Sequence, residues 1–209
     1  MTADSVSNPS DSKWISVAFL ALAEVFALSL WFSATALIPD LRAEFDLSDA
    51  QASLFSSSVS IGFVIGTFIS ALFSLADRIQ PRLLFTICVI TAALANGAIL
   101  LLEPTSVAPL VLRLLTGMAM AGIYPVGMKM MATWTRGDAG LLVGLLVGAL
   151  TLGSAMPHLL NVFHVNWLDW RFTLLGSSGL ALISALLVQF VRLGRPIPKA
   201  PPFEFSFAW

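Results

Sequence analysis

Charge is what this sequence has least of. Only 11% of its 209 residues are Asp, Glu, Lys or Arg, against roughly 25% in a soluble domain. So small a supply cannot coat a water-facing surface, so lipid is the expected solvent for most of the chain. Cysteine is rarer still. Cys88 stands alone inside an apolar run, so neither an intrachain disulfide nor a cysteine metal cluster can form. The chain has no G-x-x-x-x-G-K-[ST], no G-x-S-x-G, no H-E-x-x-H and no C-x-x-C. Those absences remove P-loop binding of ATP, a serine elbow, zincin-type hydrolysis and dithiol chemistry. No enzyme activity, metal or cofactor is expected. A formal net charge of -1 offers no field for nucleic acid.

Apolar residues fill the space that charge vacates. They make up 57% of the chain, and the mean hydropathy is +0.89. A bilayer-spanning helix needs about 20 apolar residues. Six runs qualify, at 14–38, 51–75, 83–102, 107–134, 140–160 and 170–193. The expected organisation is a tail over 1–13, an all-α six-helix membrane domain over 14–193 and a proline-rich linker over 194–209, cut short of something larger. In that last segment Phe203, Phe205, Phe207 and Trp209 alternate with other residues. The first run is about twice the length of a signal-peptide core and holds Glu24, so it reads as a retained span. Ser48 with Gln51 predicts a capping box for the second span. Asp138 and Asp169 are placed to cap the fifth and sixth. Pro81 and Pro104 bound the third.

Lys and Arg outside the runs are unevenly shared. Lys13, Arg78, Arg82, Arg136, Arg192, Arg195 and Lys199 fall at one end of the bundle, and Arg42 and Arg171 at the other. The positive-inside rule places the first set, and both termini, in the cytoplasm of a plasma or inner membrane. That rule is nearly blind to acids, so Asp77 in the turn "SLADRIQPRLL" needs another reason. A carboxylate there either pairs with a cation and latches two helices, or sits in a solvated turn.

"LADRIQPR" (75–82) resembles the loop signature G-x-L-a-D-r-x-G-r-k of the major facilitator superfamily, matching at Leu75, Ala76, Asp77, Arg78 and Arg82. Phe73 and Gln80 replace its glycines. The fourth run, "LVLRLLTGMAMA", is similar to the family's l-x-x-R-x-x-q-G-x-x-x-a at Leu110, Arg113, Gly117 and Ala121, with Thr116 for Gln. The fifth, "GLLVGLLVGALTLGS", is similar to a glycine-rich antiporter signature but has Ala149 where that signature has Pro. The resemblance implies the N-terminal six-helix half of a secondary transporter, built of two inverted three-helix repeats. It implies a gating role for Asp77, Arg78 and Arg82, and a coupling role for Arg113. A faint internal echo pairs 45–54 with 134–143.

Charges within the spans cost about 2.5–3.5 kcal/mol each near a helix centre, so Glu24, Arg113 and Lys129 call for a use. Glu24 shares a helical face with Leu28, Trp31, Thr35 and Ile38. A carboxyl kept from water favours its neutral form, which suits a proton-coupling or solute-contacting group. The alternative is a Glu satisfied by a neighbouring helix. Arg113 shares a face with Gly117, Met120 and Tyr124 and must find a carboxylate, a carbonyl or an anion. Lys129, turned away from Arg113, reads as a snorkelling lysine. His158, which ends a stripe with Thr151 and Ser154, joins Trp31 and Tyr124 as a candidate for solute contact or proton coupling, with a structural hydrogen-bonder as its alternative; His164 reads as a loop residue, and Asn96 as interhelical glue. Trp14, Trp134, Trp167 and Trp170 read as belt anchors at span ends. Gly62, Gly66 and Gly117, and the stripe Gly140, Gly144 and Gly148, are expected to let helices pack closely.

The expected activity is secondary transport of a small solute by alternating access, with proton coupling as one form of it. Expected partners are the solute, the bilayer, and a second six-helix half or another copy. The competing readings are a membrane subunit of an ATP-driven importer, whose coupling helix the short loops leave no room for, an intramembrane protease, and a truncated chain that does not transport.

Overall fold

The computed structural model describes residues 9–162 and 170–195. Asp169, His164, Trp167, Lys199 and the aromatic alternation after 202 lie outside the described residues, as does most of the expected tail. Eight α-helices occur among the described residues, and no strand: α1 (Pro9–Phe45), α2 (Asp49–Leu72), α3 (Leu75–Arg78), α4 (Pro81–Ala98), α5 (Ala108–Met120), α6 (Tyr124–Ala132), α7 (Ala139–Val162) and α8 (Trp170–Leu187). Six helical segments are long and apolar enough to cross a membrane: α1, α2, α4, the α5–α6 pair, α7 and α8.

Local chemistry accounts for the ends. Ser48 and Gln51 form the expected capping box at α2: Gln51 N–H donates to Ser48 Oγ (3.3 Å) and Ser48 N–H to Gln51 Oε1 (3.0 Å). Ser74 takes a left-handed conformation (φ 49°), which breaks the chain between α2 and the one-turn α3. Pro81 sits in the first turn of α4, where its missing N–H costs nothing.

Two spans depart from expectation. α1 runs to Phe45, beyond the expected end at 38, straight through Pro39. Leu37 and Leu41 pack with Phe55, Ile99, Trp170 and Leu174, with Phe45 alongside, and that burial outweighs one lost backbone bond. The fourth span is two helices rather than one. Pro125 has no N–H to offer the carbonyl four residues back, and a turn at 121–123 separates α5 from α6. Gly122 lies in that turn, with Cys88 Sγ of α4 where its Cβ would be, at 2.2 Å.

The packing repeats itself. The second span lies against the fourth and the fifth against the first; the third lies against the fourth and the sixth against the first. Exchanging spans one to three with four to six maps these four contacts onto one another, as two inverted three-helix repeats require. Ion pairs mark the two ends. Arg42–Asp49 and Arg171–Glu44 lie at one end, Lys13–Asp138 and Lys129–Asp77 at the other.

Candidate functional site

Arg113 is the centre of a polar hub between the spans. It is fully buried. Its Nη1 donates to Leu30 O (3.2 Å), Ser33 Oγ (2.9 Å) and Asn96 Oδ1 (2.8 Å), and its Nη2 to Trp31 O (3.1 Å). The guanidinium also lies 5.5 Å from the Phe55 ring centre. Asn96 extends the hub: its Nδ2 donates to Leu174 O (3.2 Å) and Ser178 Oγ (3.0 Å) on α8. Four helices thus meet through one guanidinium and one amide. Every hydrogen-bond partner of Arg113 is neutral, which fits the lack of any span carboxylate at its depth.

Glu24 lies further along α1. It is fully buried, and neither carboxyl oxygen has a hydrogen-bond partner. Its Oε1 occupies the space beside Gly127 of α6, 1.7 Å from where a Cβ on that glycine would stand. Tyr124 stands one turn earlier on α6. Tyr124 also lines a pocket of about 300 Å³ with Leu28, Trp31, Phe63, Met120 and Leu150. Within it Trp31 and Phe63 stack edge to face, with centroids 5.0 Å apart. The structure therefore brings Glu24, Trp31 and Tyr124 into one neighbourhood and holds Arg113 against the carbonyls of Leu30 and Trp31. It leaves His158 apart, exposed on α7.

The motif turn is tied to the fourth span. Lys129 Nζ donates to Asp77 Oδ1 and to Ala76 O, the latter at 2.7 Å. Lys129 is thus engaged rather than free at the interface: α6 delivers it to a carboxylate and a carbonyl close by. Arg82 Nη1 donates to Gln189 O (3.4 Å) beyond α8, and Arg78 is exposed. Trp170 is no belt anchor either: it is 2% exposed, and its Nε1 donates to Glu44 Oε2 (2.7 Å). Trp134 is buried with its Nε1 on Arg192 O (2.9 Å), while Trp14 is exposed.

The glycines divide into two groups. Gly62 and Gly66 face the backbone of Leu114 and Met118, and Gly117 faces that of Val59, all across the α2–α5 contact. A Cβ on Gly140, Gly144 or Gly148 would meet nothing within 4 Å. That stripe borders an open groove between α1 and α7, beside Ala21, Leu22 and Val25. Ser33 and Gly127 escape a reading of the sequence. The spacing of Gly127 from Tyr124, three residues on the same helix, is the one signal that could have shown it.

At the Lys13–Asp138 contact the Lys13 ammonium holds the Asp138 carboxyl below the usual carboxylate range, helped by the Arg136 N–H. Asp138 thus serves as a tie to α1 as well as a start to α7. A carboxyl whose folded value is lowered adds stability above its unfolded value and loses it as pH falls through the lowered one. Asp138→Asn is accordingly expected to lower the melting temperature at neutral pH, with the difference from wild type vanishing in acid.

A family model described as Major Facilitator Superfamily matches residues 20–207. Among solved structures, the proton:xylose symporter XylE bound to 6-bromo-6-deoxy-D-glucose superimposes with a TM-score of 0.73 at 15% identity, over 90% of this chain and 46% of its own. A bacterial homolog to the human lysosomal transporter Spinster, inward-facing and unoccupied, does so with a TM-score of 0.66 at 17% identity, over 97% of this chain and 47% of its own. At such identities the likeness is one of fold. The chain spans about half the length of these structures. No curated protein matches it.

Proposed function

The chain belongs to the major facilitator superfamily, and from that premise we propose that it forms one six-helix wall of a secondary transporter that moves a small solute by alternating access, coupled to protons through Glu24. The observation that carries this reading is the Glu24 carboxyl, fully buried and without a hydrogen-bond partner. A group that spends its working cycle gaining and losing a proton cannot be committed to a permanent ion pair. Trp31, Phe63 and Tyr124 supply the aromatic wall against which the solute rests. Asp77 and Lys129 hold the motif turn to α6 and part when the halves rock. Arg113 acts through the hub, fixing α1 rather than touching solute. The basic end faces the cytoplasm, and the second wall comes from another six-helix half.

The test is uptake of a panel of radiolabelled solutes, D-xylose among them, by cells producing the complete transporter with and without an imposed pH gradient. Uptake of the accepted solute is expected to rise at least about tenfold with the gradient, a difference of about 1.4 kcal/mol. Glu24→Gln is expected to abolish that rise while solute exchange persists. An undiminished response in Glu24→Gln would remove Glu24 from the mechanism.

A further inference from the structure

α6 is a rod of nine residues with a distinct job at each turn. Tyr124 lines the aromatic pocket, Gly127 lies beneath the Glu24 carboxyl, and Lys129 reaches Asp77. The turn at 121–123 separates this rod from α5. The carboxyl fills the place a side chain at 127 would take: Oε1, Cδ and Cγ lie 1.7, 2.9 and 3.5 Å from a Cβ built there. Any residue larger than glycine would push the carboxyl out.

The geometry points to Gly127 as the positioning residue for Glu24: its bare Cα is the seat in which the carboxyl is held away from water, and movement of α6 about the 121–123 turn opens or closes that seat. The importance of the seat for transport rests on the coupling role of Glu24, but the seat itself rests on packing alone. One short helix then joins the solute pocket, the carboxyl and the Asp77 tie, so a shift at any one of them is felt at the other two.

Other ionic groups on the elements packed against α1 are engaged or remote. On α6, Tyr124 stands one turn before Gly127 and lines the aromatic pocket, while Lys129 is held by Asp77 and Ala76. On α5, Arg113 is bonded to carbonyls at 30 and 31 of α1, about 9 Å further along the helix. On α4, Cys88 lies against Gly122 and Arg82 donates to Gln189 O. His158 on α7 is exposed. Asp49 on α2 and Arg171 on α8 pair with Arg42 and Glu44 at the far end.

The test reads the carboxyl directly. Dicyclohexylcarbodiimide, a lipid-soluble reagent, modifies protonated carboxyls, and mass spectrometry of the peptide bearing Glu24 gives the rate in intact membranes. In acid, where the carboxyl is protonated in both proteins, Gly127→Ala is expected to speed labelling at least about fivefold, and it is expected to move the pH profile by about one unit or more. A general loosening of the fold would raise the rate without a size-dependent remedy. Glu24→Asp/Gly127→Ala, in which the shorter acid makes room for the methyl, is expected to label at the slow rate of Glu24→Asp alone. An unchanged rate and profile in Gly127→Ala, or a double variant as fast as Gly127→Ala, would overturn the proposal. Labelling needs no solute and no gradient. Should Glu24→Gln keep its gradient response while Gly127→Ala labels fast, the coupling reading falls and the seat stands.

Discussion

Replacing Gly117 by valine is expected to destabilise the protein by about 3 kcal/mol or more. A Cβ at 117 would stand 1.9 Å from Val59 O and 2.7 Å from Val59 C, and one at Gly62 would stand 2.0 Å from Leu114 O. These neighbours are backbone atoms. No rotamer change can move them, so α2 and α5 must separate along their whole contact. In lipid that contact has little else to hold it, because acyl chains solvate apolar side chains as well as another helix does. Once the helices part, the dispersion gained by close approach is lost in every turn. Gly62→Ala and Gly66→Ala are expected to follow Gly117→Val in direction. Gly144→Ala, whose Cβ would meet nothing within 4 Å, is expected to change stability by less than about 0.5 kcal/mol. Melting temperatures of the four purified variants decide it. Equal losses at 117 and 144 would mean that the two glycine sets are packed alike.

Asn96→Leu is expected to cost more than Arg113→Leu, although each residue makes four of the hub's bonds. Removing Arg113 removes a buried charge together with its need for partners, and Ser33 Oγ remains to donate to Asn96 Oδ1 at 3.1 Å. Removing Asn96 keeps the charge and takes away its shortest bond, while Ser178 and Leu174 lose theirs as well. Interhelical hydrogen bonds in membranes average about 0.6 kcal/mol, and a buried bond to a charged group is worth about 1.5–3 kcal/mol. The second effect is the larger, so about 3 kcal/mol is expected for Asn96→Leu and about 1–2 kcal/mol for Arg113→Leu. The double variant is expected to lose less than the sum, since it leaves no charge to strand. An additive cycle would show that the two residues do not share a hub. Arg113→Lys is not a rescue, because one ammonium cannot reach four acceptors on α1 and α4.

The six spans were legible because run length and hydropathy are properties of single segments. The capping box at Ser48 was legible for the same reason: its two partners are three residues apart. Contacts between segments were not. Periodicity told which face Arg113 shares with Gly117 and Tyr124, but not that the face across from it offers the carbonyls of Leu30 and Trp31. Lys129 was read as snorkelling because Asp77 lies 52 residues away in sequence. Trp170 sits at a span end, as a belt residue would, yet Glu44 from the far end of α1 draws it inward. The break at 121–123 was half legible: Pro125 marks a bend, but the turn beside Cys88 depends on α4.

The face bearing Trp31 and Tyr124 is expected to open on a water-filled crevice while the other exposed apolar surface meets lipid. The most direct measurement is the rate at which a membrane-impermeant maleimide modifies single cysteines introduced into a Cys88→Ala background. Tyr124→Cys is expected to react, and Leu94→Cys on α4, where Leu94 is 64% exposed, is expected to stay unmodified. Reaction at 94 with none at 124 would contradict the claim and turn the bundle inside out.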